Sequence, residues 1–323
     1  MAKRSVRYAV IDAFTDAAFK GNPAAVCFLE AEGGVVDEQW MQSVAKEFNI
    51  SDTAFLSRAT SAVNSDAGGG DPPSPRFHLR WFTPVSEVNL CGHATLAAAH
   101  FLLISGLVKC DTMEFLTKSG VLTAKKVLGL KHLGTSNFSL SEGEEKFSIE
   151  LDFPLIPVVD CNSLETPSIP ETLNDASIVN MCKTATDGDL IVELASGKEV
   201  ADINPNFTEL KECPGRGVII TGQAPAGSGF DFFSRFFCPK LGVNEDPVCG
   251  SAHCALAPYW GKKLEKQCLI AYMASPRGGR LDLQLVEETQ RVRIKGEAVT
   301  IMYHLQNQMA TFIVHPKIQI VQF

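Results

Sequence analysis

The chain has 323 residues, of which 45% are hydrophobic, and it carries a formal net charge of −8 with a pI of about 5.4. This length predicts about two domains, and the hydrophobic content is sufficient for two cores. Because the chain is acidic and its basic residues do not cluster, nucleic acid and anionic membranes are excluded as the main partners.

The apolar runs and the cysteines indicate a reduced, intracellular protein. The longest apolar run, at residues 94–108, contains His100 and Ser105 and is shorter than the roughly 20 residues that a membrane span needs. The N-terminal residues lead directly into a predicted strand, with no secretory hydrophobic region between them. The ten cysteines show no framework spacing. We therefore expect a cytoplasmic location, where thiols stay reduced.

Strands dominate the first part of the chain, and one amphipathic helix interrupts them. Asp37 is typical of an N-cap, and the apolar side chains after it recur at helical spacing. Residues 58–76 hold three consecutive glycines and three prolines, which predicts a flexible surface insertion. The four strands predicted here cover residues 6–14, 25–29, 54–56 and 77–82.

The chain beyond residue 110 is also mainly strand. Residues 113–117 and 121–126 flank a Lys118-Ser-Gly turn and predict a hairpin. Residues 176–182 are predicted to be helical. Because strands and helices do not alternate regularly, a doubly wound parallel sheet is excluded and an α+β fold is favoured. Further strands are predicted at residues 147–153, 190–194, 217–221, 231–237, 281–285, 292–294, 310–314 and 318–321.

One motif occurs twice, with its Cys-Gly pairs 158 residues apart, close to half the chain. Each copy has an aromatic strand ending at a proline, then an acidic loop, then a Cys-Gly pair before a run of small apolar residues. This spacing indicates a duplicated fold. The copies are Phe82-Thr-Pro, Glu87 and Cys91-Gly92-His93, then Phe237-Cys-Pro, Glu245-Asp246-Pro and Cys249-Gly250-Ser251. We expect an apolar helix after each pair, ending at Gly106 and Gly261, with an antiparallel sheet curled around it.

Two facing helix starts favour the binding of one small acid. The first backbone N–H groups of a helix are free and carry partial positive charge, so they suit a carboxylate or an enolate-like oxyanion. Nearby acids, thiols and a histidine suit proton transfer at carbon, which needs no organic cofactor. Cys249 and His253 share a helix face, but without further clustered ligands we expect no metal. The ionisable groups around the helix starts are Asp52, Glu87, Cys91, His93, Asp246 and Cys249.

The chain resembles the phenazine-biosynthesis PhzF-like isomerase family in four ordered motifs between residue 8 and about residue 260. The motifs are Lys20-Gly-Asn-Pro-Ala-Ala-Val, Asn49-Ile-Ser-Asp-Thr-Ala-Phe, Trp81-Phe-Thr-Pro with Gly92-His-Ala-Thr, and Glu245-Asp-Pro-Val-Cys-Gly-Ser-Ala. Arg277-Gly-Gly-Arg280 resembles a later family segment. The resemblance implies the diaminopimelate epimerase fold, with two pseudo-symmetric lobes that are each a rolled, mainly antiparallel sheet around a central helix. It also implies a homodimer without metal or organic cofactor.

We expect the first lobe to comprise residues 1–122 and a C-terminal strand at about 305–323, with residues 123–304 forming the second. In phenazine producers this family moves a proton between carbons of trans-2,3-dihydro-3-hydroxyanthranilate. The resemblance implies that Asp52 carries that proton, with His93 and Asp246 as further catalytic residues. It implies substrate binding at Gly92, Gly250 and Ser251, and Cys91 and Cys249 are expected to line the same site.

Two departures from the family keep three functions open. Asp52 replaces a glutamate, which shortens its reach by one methylene. Cys91 and Cys249 stand where epimerases of this fold carry an acid–base thiol pair, and a helix start is expected to depress a thiol pKa. The chain is therefore a cofactor-independent isomerase of a small carboxylic acid, a two-cysteine racemase or epimerase, or a non-catalytic binding or scaffold protein. The sequence does not specify the substrate.

Overall fold

A computed structural model describes residues 6–30, 37–59, 74–128, 146–161, 169–173 and 176–304 of the chain. The predicted C-terminal strands and most of the predicted insertion at residues 58–76 lie outside these ranges. Among the described residues, no helix is both long and apolar enough to cross a membrane. The described part is dominated by one mixed sheet of 18 strands, which confirms the predicted α+β class.

The first nine strands belong to the N-terminal half of the chain. They are β1 Arg7–Ala13, β2 Asn22–Leu29, β3 Asp52–Arg58, β4 Arg76–Phe82, β5 Glu87–Val88, β6 Thr112–Thr117, β7 Gly120–Leu128, β8 Phe147–Pro154 and β9 Val158–Asp160. The remaining nine are β10 Ile178–Thr184, β11 Leu190–Leu194, β12 Val218–Gln223, β13 Phe232–Cys238, β14 Val243–Asp246, β15 Cys268–Met273, β16 Gly279–Val286, β17 Arg291–Gly296 and β18 Ala298–His304.

Six α-helices connect the described strands. They are α1 Glu38–Phe48, α2 Gly92–Ile104, α3 Pro170–Leu173, α4 Gly197–Asp202, α5 Phe207–Glu212 and α6 His253–Leu264. Asp37 caps α1 by accepting a hydrogen bond from the backbone N–H of Gln39, as its position predicted. Two short 3₁₀ helices, Pro239–Leu241 and Glu287–Thr289, complete the helical elements.

The strand pairings repeat, and they define two copies of one unit. The first repeat is β1–β8 with α2, and the second is β10–β17 with α6. In the first repeat β2–β3 and β4–β6 are parallel and the other pairs are antiparallel. The second repeat has the same pattern, with β11–β12 and β13–β15 parallel. The chain is therefore a duplicated fold, as the paired motif predicted.

Three further strand pairings join the two repeats and exchange strands between them. Strand β8 pairs antiparallel with β17 and makes the two sheets continuous. Strand β9 follows the first repeat but pairs with β10, whereas β18 follows the second repeat but pairs with β1. Each repeat thus receives one strand from the end of the other. The lobe boundaries expected at residues 122 and 304 stay predictions.

The helices α2 and α6 each pack inside the curve of their own repeat. Helix α2 contacts β1, β2, β3, β8 and β18, and α6 contacts β15, β16 and β17. Eleven of the 13 residues of α2 are buried, so the helix is apolar on all sides. Residues of both helices share one continuous hydrophobic core. The two helix starts are therefore held by the same rigid interior.

Two local predictions are corrected by the structure. The helix predicted at residues 176–182 is wrong, because Ile178–Thr184 forms β10 between β9 and β11, where pairing on both sides outweighs local preference. The predicted end at Gly261 is also wrong, since α6 continues to Leu264. A Cβ at Gly261 would lie 2.4 Å from Leu285 Cδ1, so this glycine serves close packing rather than termination. The other predicted end is confirmed, with Gly106 in the left-handed region just beyond α2.

An arginine–glutamate pair supports the loop before each Cys-Gly motif. Arg80 Nε donates to Glu87 Oε1 at 2.6 Å, and Arg235 Nε donates to Glu245 Oε1 at 2.7 Å. Each guanidinium also lies over the phenylalanine two residues further along its strand, at 5.1 Å from the Phe82 centroid in the first repeat and at 4.9 Å in the second. Glu87 is therefore a structural group, and its pairing explains why an acidic loop recurs in both copies of the motif.

Candidate active site

The two Cys-Gly motifs meet at the centre of the molecule. A Cβ built on Gly92 would lie 2.6 Å from the Cα of Gly250, and one built on Gly250 would lie 2.8 Å from the Cα of Gly92. Only glycine permits this approach of two backbones. The starts of α2 and of the turn leading into α6 therefore face each other, as the duplicated motif predicted.

A cleft opens over this contact and holds about 470 Å³ of empty space, its mouth included. All eight residues predicted for the site line it: Asp52, Cys91, Gly92, His93, Asp246, Cys249, Gly250 and Ser251. One wall is apolar and is formed by Val88, Leu90, Phe236, Leu241 and Val243. The cleft therefore combines a polar floor at the helix starts with a surface for a hydrocarbon or ring.

Asp52 reaches the cleft because α1 ends just before it. Asn49 closes α1 in the left-handed conformation, with its N–H donating to the Ala45 carbonyl at 3.0 Å, and the chain then turns into β3. Asp52 is the first residue of β3 and is only 8% exposed. Burial, the largest cause, and the charge of Asp246 raise the pKa of Asp52 well above its usual value. Asp52 is therefore a buried acid that tends to keep its proton.

His93 lies between Asp52 and Cys91. Its Nε2 is 3.7 Å from Asp52 Oδ2, and its Nδ1 is 3.5 Å from Cys91 Sγ. Burial lowers the pKa of His93, and the charge of Asp246 offsets this only in part. At 3.7 Å the two groups are not hydrogen-bonded to each other. The raised pKa of Asp52 and the lowered pKa of His93 both disfavour an ion pair between them.

Asp246 enters the cleft from β14, and the first repeat fixes its position. The side-chain amide of Asn22 donates to Asp246 Oδ1 and, at 3.0 Å, to the carbonyl of Val248. Asn22 is fully buried and comes from the Lys20-Gly-Asn-Pro turn. This segment of the first repeat thus positions an acid of the second.

The thiols do not behave as their helix-start positions predicted. Burial above all raises the pKa of the Cys91 thiol, with the charge of Asp52 as the next cause and the Ala94 amide opposing it. Burial and then the charge of Asp246 raise the pKa of the Cys249 thiol in the same way. The expected depression of the thiol pKa is wrong, because desolvation of the charged sulfur outweighs the helix-start amides.

Arg216 is a residue of the cleft that the sequence reasoning missed. Its Nη2 lies 2.5 Å from Asp189 Oδ2 and 3.0 Å from Asp187 Oδ2. Burial disfavours its charge, but the hydrogen bonds and charges of Asp189 and Asp187 outweigh burial and raise the pKa of Arg216. Among the described residues that line the cleft, Arg216 alone is a lysine or arginine. It therefore provides the cleft with a positive charge that Asp187 and Asp189 hold in place.

Arg216 can be identified as a site residue only by comparing the strand registers of the two repeats. Thr53 pairs with Phe82 in the first repeat, and Val218 pairs with Phe237 in the second. The residues before Thr53 are Ser51 and Asp52, and those before Val218 are Arg216 and Gly217. The repeat thus places Arg216 at the position of Ser51, and it places Gly217, which has no side chain, at the position of Asp52. Nothing in the local sequence shows this without the register.

His253 has a structural role behind the second motif. Its Nδ1 lies 2.7 Å from the carbonyl oxygen of Cys249, and its ring stacks on Phe232 at a centroid distance of 5.8 Å. Burial lowers the pKa of His253 to about 4. The imidazole therefore orients the turn that leads into α6.

The architecture of the chain is also found among solved structures. A probable proline racemase from Agrobacterium radiobacter has the same fold, with a TM-score of 0.58, 10% identity, and coverage of 94% of this chain and 93% of that one. At this identity the likeness shows the fold alone. The chain thus has an α+β fold with a diaminopimelate epimerase-like architecture.

The chain belongs to the phenazine biosynthesis-like protein family, whose model matches residues 11–304. An uncharacterized isomerase of Halalkalibacterium halodurans is 41% identical over 294 residues, which cover 91% of this chain and 95% of the relative. A human phenazine biosynthesis-like domain-containing protein is 36% identical, with 91% and 96% covered. The crystal structure of a PhzF-family protein from Enterococcus faecalis is 38% identical and has a TM-score of 0.71, covering 93% of this chain and 98% of that one. The family resemblance predicted from the motifs is confirmed.

Proposed function

We propose that the chain is a cofactor-independent isomerase in which Asp52 moves a proton between two carbons of a small carboxylic acid. The observation that carries this proposal is the burial of Asp52 at the cleft, beside His93 and within the field of Asp246. A carboxyl group with a raised pKa is a stronger base once deprotonated, and it keeps an abstracted proton long enough to return it. His93, as a neutral ring, relays or positions that proton, and Asp246 holds a polar group of the substrate.

The cleft favours an amphipathic acid as the substrate. The backbone N–H groups of Gly92, His93, Gly250 and Ser251 at the two helix starts suit its carboxylate or the oxyanion that develops during proton transfer. Arg216 adds a fixed positive charge near the second helix start. The apolar wall, which includes Phe236 and Leu241, suits a ring or hydrocarbon body. A dihydro-hydroxyanthranilate, the acid suggested by the family resemblance, has these features.

A two-cysteine racemase or epimerase is the second candidate. The observation in its favour is the symmetric placement of Cys91 and Cys249 at the starts of the two motifs, both buried at the cleft. The raised pKa of each thiol counts against a resting thiolate base. In the third candidate, a non-catalytic binding or scaffold protein, the same cleft binds an acid without turning it over.

Solvent-deuterium incorporation separates these candidates. We expect purified protein to incorporate deuterium into a dihydro-hydroxyanthranilate, and Asp52→Asn to slow this by about 100-fold or more, the usual contribution of one acid–base group. Asp111→Asn, at an exposed position, serves as the matched control. Full exchange in Asp52→Asn together with its loss in Cys91→Ser and Cys249→Ser would establish the two-cysteine mechanism instead.

Assembly and location complete the proposal. We expect a homodimer, on the family resemblance, and a cytoplasmic location, on the cysteine pattern. The lobes are expected to divide near residue 122. Size-exclusion chromatography with light scattering is expected to give twice the chain mass of 35.0 kDa. A single-chain mass at all concentrations would contradict the dimer.

A further inference from the structure

The first motif gathers three potential metal ligands at one point of the cleft. A carboxylate oxygen of Asp52, the sulfur of Cys91 and a ring nitrogen of His93 all lie within 4.8 Å of one another. The three residues are 8%, 5% and 1% exposed, respectively. Because they come from β3 and from the start of α2, the rigid core fixes their spacing rather than a surface loop.

Two polar atoms of this cluster lack a hydrogen-bond partner. Asp52 Oδ1 and His93 Nε2 are both buried, and neither has a partner within the described part of the chain. Buried polar atoms are normally satisfied by protein or water, and each exception points to a missing group. Here both exceptions lie in one cluster of ligand-forming side chains, which points to a ligand shared between them.

The donor set and its spacing fit zinc. Thiolate, imidazole and carboxylate are its usual ligands, at about 2.0–2.3 Å from the ion. Two ligand atoms of a tetrahedral site are therefore about 3.3–3.8 Å apart. His93 Nε2 lies 3.7 Å from Asp52 Oδ2, in this range, and one ligand atom from each of the three residues lies within 4.8 Å of the other two. Three protein ligands leave one position for water or a substrate oxygen.

We propose that Asp52, Cys91 and His93 bind one Zn²⁺ ion, which inhibits the enzyme by occupying its proton-transfer group. The inhibition rests on the proposed function of Asp52, whereas the binding does not. The proposal assigns the ion no part in catalysis. It makes the activity of the chain responsive to free zinc at the site where substrate binds.

The second motif lacks these ligands and provides an internal comparison. Ser251 stands where the first motif has His93, and the strand register places Gly217 where the first repeat has Asp52. Cys249 is therefore left without an imidazole at the corresponding position, and its sulfur lies 3.4 Å from Ser251 Oγ. Zinc is expected at the first motif only.

Titration of the chelator-treated protein with CoCl₂ tests the site, because Co²⁺ replaces Zn²⁺ and a cobalt–thiolate bond gives a charge-transfer band. We expect one Co²⁺ per chain, displaced by ZnCl₂. Cys91→Ser should abolish the band. Asp52→Asn and His93→Gln should each weaken binding by at least about 10- to 100-fold, the range known for groups that only support ligands. Cys249→Ser, the matched control, should keep the band.

A band that survives Cys91→Ser, or that is lost equally in Cys249→Ser, overturns the site. Circular dichroism and the thermal midpoint of each variant establish that it is folded. Anomalous scattering from a crystal of the unsubstituted chain soaked in ZnCl₂ gives an answer independent of the variants: a peak between the three side chains supports the site, and its absence there overturns it.

Measurements of turnover with and without zinc test the metal site and the proposed function independently. Activity of the metal-free protein, and its loss in Asp52→Asn, tests the function with no ion present. Inhibition by ZnCl₂ that is reversed by a chelator supports the regulatory part. Unchanged or increased turnover at saturating ZnCl₂ overturns it and leaves the metal-free result intact.

Discussion

Gly92 and Gly250 touch through their backbones, although they begin equivalent segments of two different repeats. A Cβ on either one would approach the other Cα to 2.6 or 2.8 Å. These distances are shorter than any ordinary contact, and the neighbouring atoms are backbone that cannot rotate away. The pair therefore sets how closely the two halves of the cleft come together.

Gly92→Ala and Gly250→Ala are each expected to separate the two helix starts. We expect a loss of about 3 kcal/mol in the free energy of unfolding, since overpacking a close-packed interior typically costs this much. Turnover should fall as well, because both helix starts move. Chemical denaturation and steady-state kinetics measure these effects. Gly106→Ala is the control, since its Cβ meets no atom within 4 Å, and only the left-handed φ of +66°, at about 1–2 kcal/mol, disfavours the alanine. Equal losses of unfolding free energy in all three variants would show that the contact between Gly92 and Gly250 is not the cause.

The two arginine–glutamate pairs are expected to differ in strength. The Arg235 side chain is 6% exposed and also donates to the Ile203 carbonyl at 2.6 Å, whereas the Arg80 side chain is 30% exposed. Removal of Arg235 leaves a nearly buried carboxylate unpaired, so Arg235→Ala is expected to cost about 3–5 kcal/mol of stability. Arg80→Ala should cost about 1 kcal/mol, because Arg80 is partly exposed and Lys118 still pairs with Glu87 after the substitution.

Urea unfolding of the two variants provides the comparison. The double variant Arg235→Ala with Glu245→Ala should recover part of the loss, because no unpaired charge then remains. A larger effect of Arg80→Ala than of Arg235→Ala would show that burial does not govern these pairs.

Asn22 is expected to act as a positioning residue for Asp246. Asn22→Ala removes the amide that holds this carboxylate from the opposite repeat, and we expect kcat to fall by about tenfold or more while the fold is retained. Because one acid in the cleft changes its position and solvation, the pH profile of kcat should shift as well. Asn89→Ala, at an exposed position, is the control. A normal profile with only a lower thermal midpoint would indicate a purely structural role.

Asp52 makes the stability of the protein depend on pH with a definite sign. Its folded pKa lies well above the usual 3.8, so between these two values the folded chain holds a proton that the unfolded chain has lost. The wild-type chain therefore loses stability as pH rises through this window. Asp52→Asn removes this contribution.

The difference in thermal midpoint between Asp52→Asn and the wild type should thus increase in favour of the variant as the pH is raised above about 4. Differential scanning calorimetry at a series of pH values measures it. Asp111→Asn, at an exposed position, is the control. If the thermal midpoint of Asp52→Asn, relative to the wild type, decreased as the pH rose, the pKa of Asp52 would not be raised in the folded chain.

The sequence was sufficient to predict the main features of the fold and most of the cleft lining. The spacing of the two Cys-Gly pairs predicted the duplication, and the four motifs predicted Asp52, His93 and Asp246 in one cleft. These features are readable because the close contact at Gly92 and the acidic loops require particular residue types at fixed positions.

The features that were missed depend on contacts between distant segments. Arg216 becomes visible only when the register of β12 is compared with that of β3. Residues 176–182 form a strand because two neighbouring strands pair with them, although their local pattern also suits a helix. The thiol pKa of Cys91 was misjudged because local position reveals the helix-start amides but not how deeply the folded chain buries the sulfur.

The exchange of strands between the repeats affects how the chain folds during synthesis. One partner of β1 is β18, Ala298–His304, which lies almost 300 residues further along the chain. The edge of β1 that faces β18 stays unpaired until β18 has been synthesised, and pairing between such distant segments is slow. A fragment that ends before β18 should therefore aggregate or bind chaperones rather than fold alone. The same exchange places β1 and β18, the first and the last of the described strands, side by side.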